Sequence, residues 1–110
     1  MPSSGYTYLC EFGVLEEGVP RRFEVEGVPV SLVLTEKQVF AIHDTCSHSA
    51  VSLSEGEVDG CTVECWLHGS RFDLRTGEAL DPPASRPVPV YAVQIEDGGV
   101  YARVVPRSER

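Results

Sequence analysis

Cys46-Ser47-His48 and, beyond residues 49–64, Cys65-Trp66-Leu67-His68 stand apart from everything around them in this chain. Alternate residues of an extended segment point the same way, and a tight turn brings positions i and i+3 together, so each pair can face a common point. The two loops then form opposing jaws. Two thiolates and two imidazoles suit either a tetrahedral zinc or a mixed-ligand iron–sulfur cluster. Zinc sites of this composition commonly pair Cys with Cys and His with His, whereas here each loop supplies one of each. That spacing favours a two-iron cluster with both cysteines on one iron and both histidines on the other, and it leaves zinc open. A thiol nucleophile with its base would need only one such pair.

Outward from the jaws the pattern is all-β. Runs rich in Val, Tyr, Phe and Ile recur at Tyr6–Cys10, Arg22–Glu26, Val28–Leu34, Val39–Ile42, Cys61–Glu64, Val88–Ile95 and Val100–Val105. Turns are expected at Glu26-Gly27, Asp59-Gly60 and Asp97-Gly98-Gly99, where positive φ suits a tight hairpin. No ten-residue segment reads as a helix. Between about residues 43 and 89 the alternation breaks, and Ser, Gly, Pro and Asp gather with the Cys and His residues, so this segment reads as a loop-built site on a β scaffold. Pro82, Pro83, Pro87 and Pro89 cannot all donate to a sheet ladder, so their stretch is expected to be a stiff loop, packed over the site or serving as a plain linker. Cys10 and Cys61 read as packed thiols and His43 as structural.

A chain of 110 residues is about one domain long, large enough to fold without disulfides, and one unit over 1–110 is expected. Seventeen acidic residues against nine basic ones give a net charge of −8, which repels nucleic acid and anionic membranes and fits a basic protein partner, or simply keeps the protein in solution. No stretch is apolar for long enough to span a bilayer, and residues 1–5 lack the basic and apolar regions of a signal peptide, so a cytoplasmic protein is expected. In such a reducing compartment cysteines mixed with histidines bind metal or do redox chemistry.

Cys46-x-His48 followed by Cys65-x-x-His68, with Gly69 after the second His, resembles the signature of the Rieske family. The runs Ser52–Gly60, Gly69–Gly77 and Arg86–Tyr91 look like the corresponding stretches of stand-alone Rieske ferredoxins, so the resemblance covers nearly the whole chain. It implies an all-β Rieske fold, with stacked antiparallel sheets and a loop-built subdomain over about 43–89. It implies one [2Fe–2S] cluster per chain on Cys46, His48, Cys65 and His68. It also implies a carrier of single electrons between a flavin-dependent reductase and a non-heme iron oxygenase, docking near His48 and His68. Similar chains stand beside iron–sulfur assembly machinery, which leaves an accessory role in cluster biogenesis as the alternative; a structural zinc module is the other.

Replacing two thiolates by imidazoles makes the oxidised centre formally neutral rather than dianionic, which raises the potential from about −400 mV into a range of about −150 to +300 mV. High-potential relatives in respiratory chains add a disulfide between the loops, at the positions of Val51 and Leu67, and carry a serine and a tyrosine that donate toward the cluster sulfurs. Here Val51 and Leu67 replace those cysteines, Ser70 keeps the serine and Phe72 replaces the tyrosine. A potential at the low end of the range is expected. Many relatives have Pro where this chain has Trp66, a residue that shields the cluster, meets a partner or simply packs. With three histidines in all, the chain cannot also build a 2-His-1-carboxylate oxygenase site. It also lacks a nucleotide-binding Gly-rich turn.

Overall fold

The computed structural model describes residues 5–47 and 50–104. Val28–Thr35 forms β3, and it is buried on both parities. Val28, Val30 and Leu32 face one buried cluster, while Val33 faces another. A strand buried on both faces reads as a near-continuous apolar run, which is how Val28–Leu34 appears in the sequence apart from Ser31. Its partner β4 (Gln38–His43) divides in the same way, with Ala41 in the first cluster and Ile42 in the second.

Four more strands complete a six-stranded antiparallel sheet: β1 (Thr7–Glu11), β2 (Arg21–Val25), β8 (Val90–Glu96) and β9 (Gly99–Arg103), in the order β1-β9-β8-β4-β3-β2. Each expected strand in this sheet is present within a residue or two. Val105, the expected end of the last one, lies outside the described residues. Glu26-Gly27 (φ 51° and 83°) and Asp97-Gly98 (51° and 81°) close two-residue hairpins with both central residues at positive φ, as a type I′ turn requires. Glu36-Lys37 closes the β3–β4 hairpin in the same way (52° and 65°) with no glycine.

Between β4 and β8 the segment expected to be loop-built also holds a three-stranded antiparallel sheet of β5 (Glu57–Asp59), β6 (Thr62–Glu64) and β7 (Arg71–Asp73). Only β6 was expected. The β5–β6 turn is centred on Gly60-Cys61, one residue beyond the expected Asp59-Gly60. Val63, Phe72 and Leu74 from this side pack with Val33 and Ile42 from the large sheet into one core, so the two sheets share their apolar interior. Thr35 adds a polar tie by donating its hydroxyl to the Gly60 carbonyl at 2.7 Å. Among the described residues no helix is long and apolar enough to cross a membrane.

Candidate metal centre

Cys46 follows β4 and Cys65 follows β6, so each jaw hangs from a different sheet. Both cysteines are almost completely buried, at 4% and 1% exposure, and both belong to the core shared by the sheets. Their backbones follow one rule. The Cys46 N–H donates to the Val51 carbonyl at 3.0 Å, and the Cys65 N–H donates to the Ser70 carbonyl at 2.7 Å, five residues on in each case. These bonds satisfy the buried donors and fold each loop back on its own root.

In the second jaw, Trp66, Leu67 and His68 form an exposed turn. Gly69, at φ 81°, closes it by donating to the Cys65 carbonyl at 2.9 Å, a left-handed position that favours glycine. Trp66 is 51% exposed, which argues against simple packing. In the first jaw, Thr45 bridges to Ser52 and Val51 packs half-buried against the core. His48 lies outside the described residues, so three of the four nominated ligands are described.

Ser70 is buried, and its hydroxyl oxygen accepts the Ala84 N–H at 3.1 Å. Accepting leaves the hydroxyl proton to be donated elsewhere. Phe72 is fully buried beside the cysteines in the core and brings no polar hydrogen. The proline-rich loop reaches both jaws: besides the Ala84 bond to Ser70, the Arg86 carbonyl accepts the Ser47 hydroxyl. It is a cover, not a plain linker.

Several residues that the sequence reading did not single out hold these loops. The fully buried Asp44 carboxylate accepts the Ser54 N–H at 2.7 Å, the Ser54 hydroxyl at 3.0 Å and Arg22 Nη1 at 3.2 Å. Arg71 grips Asp81 through Nε at 2.6 Å and Nη2 at 3.1 Å. The hydrogen bond and charge of Arg71 hold the Asp81 carboxyl below the usual carboxylate range. A carboxylate at the junction between an apolar strand and a cysteine loop was the available signal for Asp44. Burial pushes the Cys10 and Cys61 thiols up; Cys61 packs in the core that holds Cys46 and Cys65, and Cys10 packs against the other.

The donor set fits a [2Fe–2S] group: two buried thiols from two loops, a histidine at an exposed tip, and a buried hydroxyl with a proton to give. Residues 5–92 match the family model described as the Rieske [2Fe-2S] domain. The 3-phenylpropionate/cinnamic acid dioxygenase ferredoxin subunit of Photorhabdus laumondii is 41% identical over 99 residues, covering 88% of this chain and 92% of that protein. Ferredoxin CarAc of Metapseudomonas resinovorans is 35% identical over 94 residues, covering 84% and 88%. Among solved structures, the ferredoxin of carbazole 1,9a-dioxygenase from Nocardioides aromaticivorans superposes with a TM-score of 0.86 at 33% identity, covering 90% of this chain and 97% of that one. A ferredoxin of this kind passes electrons and does not itself transform a substrate. Built around one [2Fe–2S] cluster, this chain belongs to the Rieske [2Fe–2S] domain family, as an electron-carrying ferredoxin.

Proposed function

We propose that Cys46, His48, Cys65 and His68 hold the cluster, and that the chain carries single electrons in the cytoplasm from a flavin-dependent reductase to a non-heme iron oxygenase. The observation that carries the ligand assignment is the shared construction of the jaws, in which two buried cysteines enter one core from two sheets with the same backbone bond. When bound, the cluster supplies one-electron redox chemistry.

The protein's part is to exclude water and to present an exit. The apolar core around Cys46 and Cys65 keeps solvent from the thiolate side, while Trp66, Leu67 and His68 stand exposed on the other. An exposed indole and leucine beside a histidine make an apolar docking tip, and the chain's net charge of −8 favours a basic partner. Support for an oxygenase partner comes from a relative: a solved complex of reduced oxygenase and oxidized ferredoxin in carbazole 1,9a-dioxygenase contains a chain superposing with a TM-score of 0.85 at 33% identity, covering 91% of this chain and 94% of that one.

Iron and acid-labile sulfide at two each per chain test the cluster. Loss of both in Cys65→Ser, with the fold kept, tests the ligands. Stopped-flow reduction by candidate flavin reductases, then reoxidation by candidate oxygenases, tests the shuttle. Binding without electron flow would refute it.

A further inference from the structure

Asp44 is a fully buried carboxylate that contacts three separate parts of the chain. Its backbone N–H donates to the Pro29 carbonyl of β3 at 3.0 Å, and its backbone carbonyl accepts the Leu53 N–H on the far stem of the first jaw. Its side chain accepts both the N–H and the hydroxyl of Ser54, again on the far stem, and Arg22 of β2. Arg22 is shared in turn with Glu24 at 2.9 Å and with the Ser52 hydroxyl at 3.4 Å. Residues 44 and 52–54 are thus fastened to each other and to the edge of the six-stranded sheet by backbone bonds together with the Asp44 and Arg22 side chains. For stability alone a buried charge is a poor choice, since its desolvation offsets most of what the pair gains and a well-packed apolar side chain does as well.

We propose that Asp44 is the positioning residue of the first ligand loop and that, paired with Arg22, it fixes the charge beside that loop and so tunes the potential of the centre. The proposal rests on Cys46 and His48 being ligands. The carboxylate adds a side-chain tie between the stems, from residue 44 to residue 54, to the backbone bond between residues 44 and 53. Removing the carboxylate withdraws a negative charge two residues from Cys46 and leaves Glu24 as the one carboxylate paired with Arg22 among the described residues, which favours the reduced state. Removing the guanidinium does the reverse.

The test uses holoprotein. Parent iron and sulfide content and its reduced EPR spectrum first establish the cluster, so a failure there strikes the ligand assignment and not this proposal. Midpoint potentials by film voltammetry and g-values are then compared for the parent, Asp44→Asn, Arg22→Gln and Val100→Ala. Val100 is fully buried in the other core, which holds neither jaw cysteine, so its variant is a control for lost stability alone. The expected result is a positive midpoint shift in D44N, a negative one in R22Q, altered g-values in both and neither change in V100A. D44N matching V100A in midpoint and g-values would overturn the proposal. Should D44N not fold, R22Q decides alone, since Arg22 is part-exposed, and parental values there would overturn it equally.

Discussion

Arg71 and Asp81 meet through two parallel hydrogen bonds, and a third runs from the Arg71 backbone N–H to the same carboxylate at 3.2 Å. This fork fastens β7, which follows the second jaw, to the start of the proline-rich cover. Because the pair holds the Asp81 carboxyl below its ordinary value of about 3.9, the stabilisation is fully present above that value and is lost as pH falls through the lower, folded one. Asp81→Asn is therefore expected to melt below the parent at pH 7, with the gap closing as the pH falls below the ordinary carboxylate range. A gap independent of pH in calorimetric scans would contradict this.

Gly77 has φ 82°, and a Cβ there would overlap the Val88 carbonyl oxygen, which lies on the backbone entering β8. Neither partner is a flexible side-chain end. Gly77→Ala is expected to cost roughly 2–4 kcal/mol in urea unfolding, from strain and overlap together. Gly13→Ala meets nothing within 4 Å and is expected to stay within about 0.5 kcal/mol of the parent.

The Ser31 hydroxyl is fully buried on β3 and has no hydrogen-bond partner among the described residues. An unsatisfied buried hydroxyl costs about 1–3 kcal/mol, and Ser31→Ala removes it at the expense of a small void. A gain of about 1 kcal/mol in urea unfolding is expected. A loss of stability would mean that the hydroxyl is satisfied.

The two packed thiols should be dispensable. A C10S/C61S variant is expected to keep iron and sulfide at the parental level, whereas Cys46→Ser or Cys65→Ser loses the native absorption and EPR spectra. With both spare thiols pushed up by burial, alkylation at neutral pH should be slow at each, and mass spectrometry after timed iodoacetamide treatment measures this directly.

The Ser70 hydroxyl is oriented by the Ala84 N–H, and Phe72 supplies no second donor. If Ser70 donates toward the cluster as the family resemblance implies, Ser70→Ala is expected to lower the midpoint potential, since a hydrogen bond toward sulfur stabilises the reduced centre. Film voltammetry showing a strongly positive parental midpoint, or no change in the variant, would count against this account.

The central strand was legible in the sequence because burial on both faces leaves a nearly unbroken apolar run over Val28–Leu34, with Ser31 the one polar residue in it. The two loops that carry the cysteines were legible because the alternation breaks where they begin, and Cys46 and Cys65 lie buried at the ends of β4 and β6. β5 and β7 were not, since Glu57-Val58-Asp59 and Arg71-Phe72-Asp73 are three residues long and expose their charged ends, giving too little alternation to register. The Glu36-Lys37 turn was hidden for another reason: it takes positive φ without Gly or Asn, and the strand pairing on either side holds it there. Asp44 and Arg22 lie 22 residues apart, a separation at which no local pattern announces a contact.

The jaws grow from separate sheets that share one oily seam, and on the ligand assignment proposed above the prosthetic group sits where that seam opens to solvent. Anything that shears the small sheet against the large one, whether heat, denaturant or a partner pressing on the tip, would therefore part the two cysteines that enter the shared core from the two sheets. Bleaching should precede the loss of β-structure on heating.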